Sequence, residues 1–348
     1  MKRKTISILL CVAMVTAMAV GCGNKETSSA KTAKTSESSA KDENKNIIII
    51  SKSYQNQFYQ AAFQGAKDAA VDLGVNLTTN GPDAESNVSQ QVEQVAAALN
   101  QQPDAIVLAA CDPTALEETL TKAKDAGVPV IGFDSGVPGD TTGAVVATAA
   151  TDNKKAGANV ATNMIADENF QKAILKGTKD KPTVIGVLAQ DATSGSIVQR
   201  IDGFVAEMVS GLEKLDGLKG SVDVSGQEKW TIPSKEDAKV KIVVTVPPTT
   251  SQADIQAAAN TIFMTDNLVG VFAANQDAVN GVISATNDAT DLDKSTGKFK
   301  DVFVAGFDAG STQKEAVSNA QFLGSVTQDP YQMGYQAIKL AVEAADGK

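Results

Sequence analysis

From residue 47 the chain alternates short apolar runs with segments whose apolar residues recur at helical spacing. IIIISK (47–52) reads as a buried strand, and 58–73 follows as an amphipathic helix with Phe58, Ala61, Ala62, Gly65, Ala69 and Leu73 on one side. The pattern continues as strand VNLTT, helix 85–100, strand AIVLAA, helix 114–126 and strand VPVIGF. Such alternation predicts a parallel sheet with helices on both faces, because parallel strands need a crossover between them. A second series follows TDN (151–153), with strands TVIGVLA, KIVVTV, LVGVFAA and VFVAGF and helices over 195–208, 251–264 and 278–287. The expected fold is α/β: two doubly wound parallel-sheet domains joined by a hinge, residues 46–150 with 329–348 forming one and 151–328 the other. A long polar connection over 211–238 holds the only tryptophan, Trp230.

Two strands end alike. VIGFDSG (130–136) and VAGFDAG (304–310) each run into a carboxylate, Asp134 and Asp308. In open parallel sheets ligands sit beyond the carboxyl ends of the strands, so the matched acids predict one polar group at the mouth of each domain, facing across a cleft. The alternative role for each is a helix N-cap or a turn.

The N-terminus departs from the globular pattern. Lys2, Arg3 and Lys4 precede an apolar run from Ile6 to Val20, broken by Ser7 and Thr16, which is too short to span a bilayer. Residues 1–21 therefore read as a signal peptide. The run closes at AVGC, which resembles the lipobox of bacterial lipoproteins with Ala19 in place of the usual Leu. That resemblance implies cleavage before Cys22 and lipidation of its sulfur. The alternative is an ordinary secretory signal with a coincidental cysteine. Residues 22–45 contain no large apolar side chain and read as a flexible tether. A coil of this length has a typical end-to-end distance of roughly 25 Å. It would hold the domains close to a membrane surface, in an extracytoplasmic location anchored to the cell membrane.

Composition narrows the function. With Cys11 in the signal and Cys22 lipidated, Cys111 stands alone, so no disulfide is expected within the mature chain. A formal net charge of −10, which grows once the three basic leader residues are removed, repels nucleic-acid phosphates. Nucleic acid is not an expected partner. The sequence contains no histidine, and no nucleophile-elbow or phosphate-loop motif is present, so no enzyme and no cofactor is expected. DLDKSTG (291–297) has some of the spacing of a calcium loop, but its glycine is one position late and no closing Glu follows. It reads as a solvated turn, and no metal is expected.

From about residue 47 to 348 the chain resembles the ribose-binding family of periplasmic-type sugar-binding proteins, which serve ABC importers and have the type I two-domain fold. The motifs that carry the likeness are YQNQFYQ, IGFDSG, ATDN, RIDGF, FAANQDAVNGV, AGFDAG and TQDPYQMG. The resemblance implies a ligand site. Asn56 would bond a sugar hydroxyl, Phe58 and Tyr59 would cover the ring face, and Asp134 would be the acid of the first domain. From the second domain it implies Arg200, Asn275, Asp308 and Gln328 as polar ligands, with Phe307 lining the pocket. Such a set suits a monosaccharide or polyol, whose hydroxyl rim needs planar donors and acceptors and whose C–H faces need aromatic plates. Read without the family, Phe58 and Tyr59 fit a core, Arg200 a surface ion pair and Asn275 an N-cap.

Two departures separate this chain from the ribose binders. Ser135 follows the first acid where they have an arginine and is itself counted among the expected ligand residues, and PPTTS (247–251) stands where a second aromatic plate is expected. Trp230 is the alternative plate, or a packing residue. The partners implied are a small sugar or polyol and an ABC permease in the membrane, with the protein acting as a monomer. The alternative output is a ligand-sensing module that presents the bound molecule to a membrane receptor. A repressor with the same two-domain body would need a DNA-binding N-terminus where the signal and tether stand. After EAADGK the family continues with a further strand, so an incomplete chain end is also expected.

Overall fold

The computed structural model describes residues 44–348. The signal segment, Cys22 and all but the last two residues of the tether lie outside the described residues. The first half of the body contains five strands, β1 (Asn46–Ile50), β2 (Asn76–Asn80), β3 (Ala105–Leu108), β4 (Val130–Phe133) and β5 (Val145–Ala149). They form one parallel sheet in the order β2-β1-β3-β4-β5. Three helices connect them, α1 (Gln57–Leu73), α2 (Val88–Leu99) and α3 (Glu117–Asp125). Alternate residues of β1 face opposite sides. Ile47 and Ile49 pack with Tyr59, Phe63 and Ala66 of α1, while Ile48 and Ile50 join Val95 of α2 and Leu120 of α3. A strand buried on both faces explains why IIII carries no polar alternation.

The second half contains α4 (Asn153–Ala166), α5 (Glu168–Ile174), β6 (Thr183–Leu188), α6 (Gly195–Leu212), β7 (Val222–Gly226), β8 (Val240–Thr245), α7 (Gln252–Phe263), β9 (Leu268–Ala273), α8 (Gln276–Ala285), β10 (Phe303–Phe307), α9 (Ser311–Ser318) and β11 (Gly324–Val326). Its parallel sheet has the order β11-β10-β9-β6-β8-β7. Read from β8 to β11 this repeats the topology of the first sheet, with β7 added outside one edge. The two domains are thus both parallel α/β layers.

The chain then returns. Helix α10 (Pro330–Ala345) packs on the first sheet beside α1, burying Ala337, Ile338 and Ala341 in the same core as Ile47 and Phe133. Asp329 caps it through Gln332 N, and Pro330 occupies a first-turn position where no amide donor is needed. The two crossings between the sheets are short, one between β5 and α4 and one between β11 and α10. Thr151 Oγ1 in the first donates to Gln328 Oε1 in the second at 2.8 Å, tying them together.

The expected long polar connection over 211–238 needs correction. It contains the end of α6, the edge strand β7 and a 3-10 turn over Glu228–Trp230. VDVSG offers only two aliphatic residues, too few for a strand pattern, but β8 supplies its hydrogen-bond partner. Trp230 is buried in the core of the second domain, and its Nε1 donates to Asp202 Oδ1 at 2.8 Å. It is a packing residue rather than a ligand plate.

Candidate functional site

Asp134 and Asp308 lie just beyond β4 and β10 with left-handed backbones, φ 52° and 75°. Among non-glycine residues aspartate tolerates this region better than most. Each amide remains paired with the end of the neighbouring strand, Asp134 N to Ala149 O at 3.1 Å and Asp308 N to Val326 O at 2.8 Å. The repeated GFD motif therefore builds the same strand-end turn twice. Neither acid caps the helix that follows it in sequence. Asp308 Oδ2 instead accepts from Gln276 N at 2.8 Å, at the start of α8, and its Oδ1 accepts from Gln328 Nε2 at 2.6 Å. Asp134 Oδ2 accepts from the Tyr59 hydroxyl at 2.7 Å and faces Lys52 Nζ at 4.0 Å.

The first domain supplies a mixed wall. Asn56 caps α1 through Phe58 N at 2.9 Å, which fixes its side chain at the cleft, and its Nδ2 reaches Asp277 Oδ2 at 3.0 Å. The Phe58 and Tyr59 rings meet edge to face with centroids 5.2 Å apart. Phe58 is half-buried and borders the cavity. Tyr59 is 2% exposed, packed in the core with its hydroxyl on Asp134.

From the second domain comes Arg200, 1% exposed on α6. Its Nε and Nη2 donate to Asn153 Oδ1 at 3.2 and 2.7 Å, its Nη1 donates to Ala274 O at 2.6 Å, and the guanidinium lies 3.5 Å from the centroid of Phe307. One hydrogen on each Nη remains for a ligand, since guanidinium has five donors. Asn275 caps α8 through Ala278 N and also donates to Gln190 Oε1.

Together these groups border one small cavity. Eight of the expected residues line it: Asn56, Phe58, Tyr59, Asp134, Arg200, Asn275, Asp308 and Gln328. Phe307 sits one layer back, beneath Arg200, and Ser135 Oγ donates to Ala110 O at 2.9 Å, away from the wall. Sequence reasoning missed Lys52, Glu85, Ser196, Ile197 and Gln276, which also line it. Ser196 and Ile197 lie on the first turn of α6, one helical turn before Arg200, a spacing that was available in the sequence.

Lys52 is the most consequential of these. Its Nζ pairs with Glu85 Oε2 at 2.8 Å and donates to Ser194 Oγ at 3.2 Å, with both charged side chains nearly buried. Burial opposes the ammonium, but Glu85, Asp134 and Asp191 outweigh it and hold Lys52 above its ordinary range. Burial raises Asp308, opposed by Arg200, and burial pushes Asp277 up to about 7, helped by Glu85 and Asp308. Burial likewise raises the Cys111 thiol, an inert setting for a cysteine.

The site can thus surround a small polyhydroxylated molecule with charge-assisted and amide hydrogen bonds from two α/β domains. Matched domains linked by short crossings, with the polar groups of both turned to one cleft, define a two-lobed solute receptor. The chain belongs to the periplasmic binding protein family, whose domain model matches residues 47–348. It is 23% identical over 297 residues to the D-allose-binding periplasmic protein of Escherichia coli (strain K12), covering 85% of this chain and 83% of that one. To the ribose import binding protein of Bacillus subtilis (strain 168) it is 26% identical over 297 residues, covering 84% and 77%. A solved ABC transporter solute-binding protein from Agrobacterium vitis with bound D-fucose superposes with a TM-score of 0.70 at 27% identity, covering 87% of this chain and 90% of that one.

Proposed function

We propose that this chain is the substrate-binding lipoprotein of an ABC importer, holding one monosaccharide or related polyol between its domains and delivering it to a membrane permease. The observation that carries the reading is the convergence of Asp134 and Lys52 from one domain with Arg200, Asp308 and Asn275 from the other on one cavity. Phe58 offers a ring face to the C–H side of the sugar, and the acids and Arg200 take its hydroxyls. The names of the relatives, binders of allose and ribose, and the D-fucose in the Agrobacterium vitis structure support a sugar.

The protein acts outside the cytoplasm as a monomer, tethered through lipidated Cys22 and the polar residues after it. Asn56, Phe58, Tyr59, Asp134, Arg200, Asn275, Asp308 and Gln328 form the site, with Phe307 supporting Arg200. The test is thermal unfolding with D-ribose, D-allose, D-fucose, D-arabinose and a wider set of pentoses, hexoses and polyols. At 100 times the dissociation constant, a ligand stabilises the native state by about 2.7 kcal/mol. No shift with any of them would overturn the proposal.

A further inference from the structure

A second, more open cavity, of about 480 Å³, adjoins the first. The two share Asn56, Glu85 and Gln276, so three polar side chains are all that the walls have in common. Among these, Asn56 Nδ2 donates across the cleft at 3.0 Å to Asp277 Oδ2, whose residue lines only the outer cavity. Both domains line the outer cavity, Gln55 and Gln57 from one side and Gln252, Asn280 and Thr312 from the other. Next to it, Ser86 N donates to Thr250 Oγ1 at 3.2 Å, another bond between the domains.

The chemistry of this lining differs from that of the inner cavity. Its side chains are amides and hydroxyls with Asp83, Glu85 and Asp277, beside Ala84 and Gly310, and it includes no lysine, arginine or aromatic residue. Its exposed lining is more polar than apolar, and an anion would meet three carboxylates. Neutral hydroxyls suit it, because amides and hydroxyls can each both donate and accept.

We propose that the cleft takes a ligand longer than one ring: an inner sugar in the first cavity joined by a glycosidic bond to a second, neutral, polyhydroxylated unit in the outer one. This rests on the sugar reading of the cleft and specifies its substrate class. The inner cavity holds Phe58 and the charged ligands, and so fixes the identity of one ring. The outer cavity, larger and lacking an aromatic plate, accepts a more variable unit through amide contacts.

Calorimetry tests it with the full mature chain. The probes are the monosaccharide giving the largest thermal shift, and a set of disaccharides carrying a glucosyl unit on each of its hydroxyls in turn. Gln252→Trp and Thr312→Trp fill the outer cavity from exposed positions outside the inner one. The expected result is that at least one disaccharide binds as tightly as the monosaccharide or more so. Each Trp variant then weakens that disaccharide at least tenfold and leaves the monosaccharide within twofold. Binding of the monosaccharide with rejection of every disaccharide would overturn this inference and leave the sugar reading intact. So would Trp variants that affect neither ligand, or both equally. Binding of no sugar of either length would overturn both.

Discussion

Lys52 shows how a single side chain sets the character of the cleft. It lies two residues past a strand of four isoleucines, where a lysine ordinarily reaches solvent, yet its side chain is 4% exposed and paired with Glu85. Removing one member of a buried pair strands the other charge, at a typical cost of about 3–5 kcal/mol, whereas replacing both with uncharged groups is often close to neutral. Lys52→Met should therefore lower unfolding stability by an amount in that range, and the double variant Lys52→Met/Glu85→Gln should recover most of it, as read by denaturant titration. For the acids, Asp308→Ala should weaken sugar binding about 10-fold to 150-fold, the loss of a hydrogen bond to a charged group. Calorimetry with the tightest monosaccharide measures it, and unchanged affinity would make Asp308 only a brace for Gln276 and Gln328. The two acids were legible because one motif occurs twice. Lys52 and Glu85 were not, because their pairing joins β1 to the loop before α2, and a single sequence does not display that contact.

At the scale of elements, the same helix contact recurs in both domains. A Cβ added at Gly157 of α4 would lie 1.9 Å from Arg200 O on α6, and one at Gly203 of α6 would lie 1.9 Å from Lys154 O. In the other domain, Gly65 of α1 meets Tyr331 O at 2.0 Å and Gly334 of α10 meets Ala62 O at 1.9 Å. Glycine at these crossings lets two helix backbones touch, and each crossing includes a helix that carries site residues. Gly157→Ala should cost about 1–3 kcal/mol by overpacking. It should also weaken sugar binding, because relief of the clash moves the turn that holds Arg200. Gly324→Ala, where an added Cβ meets nothing within 4 Å, is the control and should leave both unchanged. Thermal unfolding and calorimetry on the two variants decide it. The long, strongly patterned elements were readable from the sequence to within a few residues. Short β7 and β11 were not, since their place depends on an adjacent strand, and α4 was missed because NKKAGANVATNMIA has too few large apolar residues to mark a face.

Across the whole molecule, the domains meet through polar bonds. Gln190 Nε2 donates to Glu85 Oε2 at 2.8 Å, Thr193 Oγ1 to Cys111 O at 3.2 Å, and Asn56 to Asp277. Hinge closure on a ligand is a known behaviour of periplasmic binding proteins. Here it implies that these bonds form as the cleft shuts, with the tied crossings at Thr151 and Gln328 as the pivot. Small-angle scattering should show a smaller radius of gyration with saturating sugar than without, and equal values would argue against closure. Asp277 makes this contact sensitive to pH. Burial first, then Glu85 and Asp308, raise it from 3.8 to about 7, against the opposing pull of Lys52 and the Asn56 hydrogen bond. A carboxyl whose pKa is higher in the folded state takes up a proton on folding between those values. Its contribution is fully present below about pH 4 and is lost as the pH rises through about 7. Asp277→Asn keeps the shape and an acceptor for Asn56 but cannot ionise. The excess of its melting temperature over that of the wild type should be absent below about pH 4, grow as the pH rises to about 7 and hold steady above that, reaching roughly 2 °C or more. A constant difference between the two proteins over that interval would show that Asp277 does not titrate there.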